Sequence, residues 1–236
     1  RTEDRDKTMG VYRTDTIIIA SIDLNTKRTN VLSIPRDTYV YIPAIGKKDK
    51  INHAYVWGGM KEKGIKSTIE TVTGFIKYAE IDYYFALDME PIIDLVDAFG
   101  GVEVDVEIEM KNHGADLDKG LQVLNGEQAF DYIHWRYSGN GDIDRVKRQQ
   151  KFIKAFIEKL TKSGNIVDAV NIALRYNKYI QTNLSTPQII ALVELYRDIQ
   201  KEGITFYDIP GHGEYIDNIS YWIPDEEETD KRIKDA

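Results

Sequence analysis

The sequence predicts a layered α/β fold, and three observations carry that prediction. Two short β-branched runs, residues 16–22 and 29–34, flank the stretch 23–28, polar but for Leu24 and suited to a hairpin turn. Strand-like and helix-like segments then alternate along the chain, the pattern of layered α/β or α/β/α packing. With 236 residues, 42% of them hydrophobic, the chain is long enough for a sizeable core, and mixed folds of this length are often one domain.

The elements follow in order. The second β-branched run ends at Pro35-Arg36-Asp37, where proline stops ladder pairing and hands the next two side chains to a loop at the sheet edge. Residues 61–75 read as a helix despite Gly64, 80–87 as a strand, and 89–98 as a helix. Gly100-Gly101 precede a strand over 102–106 with alternating acidic residues. Residues 107–125 read as a polar, glycine-bearing loop, and 126–135 as a helix. Asp142 or Asp144 caps a long helix to about residue 162, with Val146, Ile153, Ile157 and Leu160 as its expected core stripe. Residues 165–174 and 186–201 are further helices, the latter opened by Ser185 with Pro187 in its first turn. Residues 204–209 return as a strand, and the segment after Pro224 reads as a frayed, charged tail.

Composition removes several classes of function. The charge of −8 argues against the broad basic face of a duplex-binding protein, so no nucleic-acid partner is expected. Zero cysteines exclude disulfides, a thiol nucleophile, zinc fingers and iron–sulfur clusters. No apolar run approaches the ~18 residues of a membrane span, and no signal peptide is present. Because the chain starts at Arg1, it is expected to be a fragment or processed form whose anchor lies upstream.

Several partial motifs fail on spacing. In Gly59-Met-Lys-Glu-Lys-Gly64-Ile-Lys66-Ser67, the inserted Ile65 displaces the lysine of a phosphate-binding loop. Asp116, Asp118 and Glu127 match three positions of a calcium loop, but Leu121 stands where its turn needs glycine. His212 and Glu214 form a weak metal pair, and no G-x-S-x-G elbow exists.

The arginines are distributed unevenly. Of eleven, Arg136, Arg145 and Arg148 fall within thirteen residues, and residues 134–151 carry five basic against two acidic groups, a local +3. Arg145 and Gln149, four apart on a helix, point the same way, with Asp142 one turn earlier. Arginine's planar fork suits phosphate oxygens, and a helix N-terminus adds donors; a solvated, self-paired helix face is the competing reading. A second cluster flanks the hairpin. Arg13 and Asp15 precede its first strand and Arg36 and Asp37 follow its second, so antiparallel pairing brings them to one sheet edge. Several arginines with a carboxylate suit a diphosphate and a hard cation.

These residues carry a resemblance to the LytR-CpsA-Psr family of bacterial cell-wall glycopolymer ligases. It rests on six ordered stretches: Arg13-Thr-Asp15-Thr, Ser33-Ile-Pro-Arg36-Asp37-Thr, Lys50-Ile-Asn52-His-Ala-Tyr55, Val96-Asp-Ala-Phe-Gly-Gly101-Val, Leu124-Asn-Gly126-Glu-Gln-Ala129, and Trp135-Arg136-Tyr through Asp142-Ile-Asp-Arg145-Val-Lys-Arg-Gln149-Gln150. The resemblance implies a single α/β/α domain over residues 1–236 with a central mixed sheet flanked by helices. It implies a place outside the cytoplasmic membrane, anchored by an N-terminal helix. It implies an activity too: moving a phosphorylated glycopolymer, of teichoic acid or capsular type, from a polyprenyl pyrophosphate to a peptidoglycan sugar hydroxyl. By motif position Arg13, Arg36, Arg136, Arg145 and Gln149 hold the diphosphate, Asp142 assists as a carboxylate near Arg145, and Asp15 binds Mg²⁺. Asp15, Arg36 and Arg145 are thus the expected catalytic set. His134 replaces an arginine the family usually carries, and a further metal-binding aspartate usually lies upstream of Arg13. A binding module for lipid-linked anionic glycan and a polyprenyl-pyrophosphate hydrolase are the alternatives.

Overall fold

The computed structural model describes residues 13–87, 92–139, 142–162 and 180–235. Its strands in chain order are β1 (Ile17–Ile22), β2 (Thr29–Ile34), β3 (Tyr39–Ile42), β4 (Lys47–Lys50), β5 (Phe85–Leu87), β6 (Val102–Val106), β7 (Met110–Asn112), β8 (Ala115–Leu117), β9 (Gly120–Leu124), β10 (Ile180–Thr182), β11 (Ile204–Asp208), β12 (Gly211–Ile216) and β13 (Ile219–Pro224). Its helices are α1 (Ala54–Trp57), α2 (Lys61–Ile76), α3 (Ile92–Ala98), α4 (Gly126–His134), α5 (Asp142–Lys162), α6 (Thr186–Glu202) and α7 (Glu226–Asp235). The α/β class expected from the alternation is the class observed. The chain forms two compact units, Arg1–Asp82 with Glu202–Ala236, and Tyr83–Lys201.

The first unit holds a mixed three-stranded sheet in the order β1-β2-β11, with β1 antiparallel and β11 parallel to β2. Asp23 closes the β1–β2 turn by accepting from the Asn25 amide at 2.8 Å, the local bond that makes aspartate a turn residue. Ile17, Leu32, Ile34, Val40, Ile42, Val72 and Ile76 form the core. Two hairpins, β3–β4 and β12–β13, complete this unit. The segment after Pro224, expected to fray, is instead helix α7. Asp225 caps it, accepting from the Glu228 amide at 3.0 Å, and Glu226, Glu227 and Glu228 in the first turn oppose Arg232 and Lys234 in the last, matching the helix dipole.

In the second unit, Val102, Val104 and Val106 of β6 are at most 1% exposed, whereas Glu103 and Asp105 face outward, the alternation of a half-buried strand. The segment 107–125 is not a loop: β7 pairs β8 and β9 pairs β6, both antiparallel. Only β8 alternates cleanly, with Asp116 exposed between Ala115 and Leu117; in β9 the exposed positions are Leu121 and Val123 and Gln122 is half-buried, while Met110, Leu117 and Leu124 fill the core, so strands of three to five residues carry no readable period-2 pattern. The expected strand over 80–87 is confined to β5, which pairs β10. The helix expected over 165–174 lies outside the described residues, as does the first turn of the one expected over 89–98.

Two of the stretches that carry the family resemblance meet where α3 and α4 pack. Asn125 and Gln128 form a reciprocal capping box at the start of α4, with bonds of 2.9 and 3.0 Å. Asp97 Oδ1 takes the Gly126 amide at 2.7 Å, satisfying another amide of that first turn.

Candidate functional site

The sheet register builds the first cluster. Ile17 faces Ile34 and Ile18 faces Ser33; continued outward, the same register sets Asp15 opposite Arg36. There Arg36 Nη1 donates to Asp15 Oδ1, with the two side chains 22% and 27% exposed. Arg13 lies two residues upstream on the exposed edge. The convergence expected from antiparallel pairing is present for Arg36 and Asp15.

The loop carrying Arg36 is pinned along its backbone. The Arg36 carbonyl accepts from the Asn52 amide at 3.1 Å, the Thr38 carbonyl from the Ile51 amide at 2.9 Å, and the Asp37 carbonyl from the Trp222 amide at 2.9 Å. Asp37 itself pairs with Lys50 at 3.0 Å. Asp49 gathers His53 Nδ1 at 2.9 Å, Trp57 Nε1 at 3.3 Å and the Tyr221 hydroxyl at 3.4 Å. Burial pushes the Asp49 carboxyl up, but the bonds from His53, the Lys50 amide and Trp57 outweigh it and hold it below the usual carboxylate range. The Lys50-Ile-Asn52-His53 stretch is thereby fixed from its neighbouring residues, which gives the Arg36 loop a rigid support.

The second cluster lies on α5. Arg145 is fully buried, and Arg148, Gln149 and Phe152 are 4%, 3% and 2% exposed, spacings of three, four and seven that define one helix face. This corrects the expected stripe: Ile153 is 42% exposed, so the inward face is rotated from Val146 and Ile153 onto the arginines. For Arg145 and Arg148 it also removes the solvated-face reading.

The end of α4 explains part of that burial. Arg148 Nη2 donates to the Trp135 carbonyl at 2.5 Å and to Ser138 Oγ at 3.3 Å, and Gln149 Nε2 donates to the Ile133 carbonyl at 3.2 Å. These carbonyls lie at the C-terminal end of α4, where helix geometry leaves acceptors without intrahelical donors. Burial pulls the Arg148 guanidinium below the usual arginine value, countered by the charge of Glu107. Glu107 in turn accepts from Tyr132 at 2.8 Å and Lys151 at 2.9 Å. The sequence puts Arg148 in the arginine cluster but one residue off the face shared by Arg145 and Gln149 and outside the diphosphate set; the structure brings all three onto the buried face, and no sequence signal marked the Glu107 network.

Arg136 is half-buried between Trp135 and Tyr137, whose ring stacks on His113 at 3.7 Å. His134 turns back to its own helix, with Nδ1 2.8 Å from the Phe130 carbonyl, which requires the proton on Nδ1. The Asp142 side chain lies outside the described residues. The failed motifs have structural roles: Gly64 admits the Tyr55 carbonyl, 2.5 Å from where a Cβ would stand, and Asp116 and Asp118 both pair with Lys111. Among the described residues no group of three or more His, Asp or Glu side chains is arranged to hold a metal ion.

Chemically, the first unit presents a partly exposed edge arginine held by a carboxylate, a group suited to phosphate oxygens, whereas Arg148 and Gln149 in the second already donate to main-chain carbonyls at the end of α4.

Comparison with known proteins bears on that chemistry. A polyisoprenyl-teichoic acid–peptidoglycan teichoic acid transferase TagU from Oceanobacillus iheyensis is 34% identical over 235 residues, covering 97% of this chain and 71% of the relative. The protein of the same name from Enterococcus faecalis is 33% identical over 217 residues, 92% of this chain and 69% of its own. The crystal structure of B. subtilis TagV matches with a TM-score of 0.80 at 31% identity, covering 94% of this chain and 89% of that one. The model of the LytR_cpsA_psr family matches residues 2–236, and the chain belongs to that family.

Proposed function

We propose that this chain transfers a phosphorylated glycopolymer of the teichoic acid or capsular type from a polyisoprenyl pyrophosphate carrier to a sugar hydroxyl of peptidoglycan. The observation that carries the reading is Arg36 held against Asp15 at the end of β2, in a chain whose relatives are named polyisoprenyl-teichoic acid–peptidoglycan teichoic acid transferases. In the proposed step the acceptor hydroxyl oxygen attacks the polymer-side phosphorus, the bond from that phosphorus to the bridging oxygen breaks, and polyisoprenyl phosphate leaves. The hydroxyl proton passes to a carboxylate, for which Asp15 or an aspartate upstream of Arg13 is the proposed acceptor. Arg13, Arg36, Arg136, Arg145 and Gln149 bind the diphosphate oxygens, with Asp142 as an auxiliary carboxylate. Catalysis is then mainly positioning and charge stabilisation, which a pinned Arg36 loop favours.

Magnesium dependence belongs to the same proposal. Mg²⁺ is usually held through one or two carboxylates plus substrate phosphates rather than by a protein cage, and Asp15, 27% exposed beside Arg36, fits that donor set. Its chemistry, when bound, is neutralisation of phosphoryl charge. The proposed place of action is the extracytoplasmic face of the bacterial membrane, with an N-terminal helix as anchor. Among the described residues no helix is long and apolar enough to cross a membrane.

The test is incubation with a synthetic polyprenyl-pyrophosphoryl sugar and a peptidoglycan oligomer, with Mg²⁺ or EDTA, read by mass spectrometry. A phosphodiester-linked sugar on the oligomer, lost with EDTA, is expected. Binding without turnover would replace the transferase with a binding module, and release of sugar phosphate without transfer would make it a hydrolase.

A further inference from the structure

Arg136, assigned above to the diphosphate, sits in a short segment after α4 whose shape is set from outside it. We propose that His113, in the turn between β7 and β8, is the positioning residue for Arg136 and acts by stacking on Tyr137. The proposal rests on the diphosphate-binding reading and adds to it a residue that lies outside the stretches carrying the family resemblance.

Three rings hold the segment on one side. The imidazole of His113 lies over the Tyr137 ring, with centroids 3.7 Å apart and planes within 9° of parallel. Trp135 meets both edge-on, 6.3 Å from His113 and 5.2 Å from Tyr137. Stacked and edge-to-face contacts are directional, so the trio fixes orientation as well as distance. The chain leaves the helix at Trp135, where ψ is 125°, and the side chains of Trp135 and Tyr137 both lie against His113. They therefore share one side of the chain, and the side chain of Arg136 between them is directed off that side. Arg148 holds the same segment through the Trp135 carbonyl and Ser138 Oγ. What remains to Arg136 is mainly the freedom of its own side chain, and a cation held in this way needs little reorganisation to meet phosphoryl charge.

The turn that presents His113 does not itself require histidine. Asn112, His113 and Gly114 have φ of 79°, 52° and 98°, all in the left-handed region. Two-residue hairpin turns of this kind favour asparagine followed by glycine, so asparagine at 113 would serve the turn at least as well. What the imidazole adds is the stack. Tyr137 is 63% exposed, so burial does little to hold its ring, and the contact with His113 carries the constraint.

Two substitutions separate the ring from the turn. His113→Asn keeps a residue the turn favours and removes the stack, whereas His113→Phe keeps a flat ring in a residue less suited to positive φ. Each is made in the unmodified chain and in Arg136→Ala, with thermal melts, calorimetric titration of farnesyl pyrophosphate in Mg²⁺, and the transfer assay above. His113→Asn should bind farnesyl pyrophosphate about fivefold more weakly, a part of the roughly tenfold or greater loss from deleting a charged donor in Arg136→Ala. It should cause no further loss in the Arg136→Ala background, because it acts through that arginine. His113→Phe should restore binding to within about twofold of the unmodified chain, since it restores the stack. The same loss from His113→Asn in both backgrounds, unweakened binding in His113→Asn, or no recovery in His113→Phe overturns the proposal. No binding to the unmodified chain, or binding unchanged in Arg136→Ala, ends it as well. Transfer that falls in Arg136→Ala but not in His113→Asn would remove only the positioning role, whereas binding that depends on both residues in a chain without transfer activity would keep that role and remove the transferase reading.

Discussion

Arg148 caps the end of α4, donating Nη2 at 2.5 Å to the carbonyl of Trp135, the residue that follows the helix, from a position only 4% exposed. An arginine so placed is bound first to the fold. Replacing it with methionine keeps the stem but leaves that carbonyl buried without its charged donor, and should lower unfolding stability by about 1–3 kcal/mol. Both bonds leave the one terminal nitrogen Nη2, and lysine should recover only part because its stem ends short of the Nη2 position even though its ammonium has donors enough for both. Thermal melts of the two variants check this, and equal melting of Arg148→Lys and the unmodified chain would show that the reach of the guanidinium is not needed.

Arg36→Ala should separate catalysis from stability in the opposite sense. The Arg36–Asp15 pair is partly exposed, so its loss should cost less than about 1 kcal/mol of folding stability. If Arg36 stabilises the transferring phosphoryl group, turnover should fall by ~10²-fold or more. Urea unfolding beside the transfer assay reads both quantities, and near-normal transfer would take Arg36 out of the site.

The contrast between these arginines shows what the sequence could reveal. Arg36 was legible because hairpin pairing is a near-local rule: once residues 16–22 and 29–34 pair, register alone carries Asp15 to Arg36. Arg148 was not, because its partners are main-chain carbonyls, which no residue type advertises. The core face of α5 was misread for a related reason. Hydrophobic spacing favours Val146 and Ile153, whereas carbonyls at the end of α4 draw Arg148 and Gln149 inward. Likewise β7, β8 and β9 are too short to show a period, and β9 runs against polarity by exposing Leu121 and Val123.

Glu107 supplies a pH signature. Burial pushes its carboxyl up, but the bonds from Lys151 and Tyr132 prevail and hold it below the ordinary value of 4.5. A depressed folded value means that the unfolded chain binds the proton more readily, so the stabilisation is present above about pH 4.5 and fades as pH falls through the folded value. The stability difference between the unmodified chain and Glu107→Gln should therefore be constant near neutrality and shrink below that point. Urea midpoints from pH 7 down to about pH 3 measure it; a difference that does not narrow would show that the Lys151 and Tyr132 bonds leave the titration of Glu107 unchanged.

Gly126 tests the packing of α3 on α4. A Cβ at this position would stand 2.2 Å from the Ile93 carbonyl oxygen and 2.7 Å from its Cα, both main-chain atoms that no rotamer change can withdraw. Alanine is the better helix former, so propensity alone predicts a gain for Gly126→Ala. Overpacking against backbone predicts the reverse, with a typical loss of about 1–3 kcal/mol. Overpacking should prevail, because the two helices must part to admit the methyl group and the bond from the Gly126 amide to Asp97 Oδ1, 2.7 Å long, would stretch with them. Asp97→Ala should then lose less stability in the Gly126→Ala background than in the unmodified chain, since the two changes act on one contact. Denaturant unfolding of the four chains closes that cycle, and strict additivity would separate the glycine's role from the aspartate's.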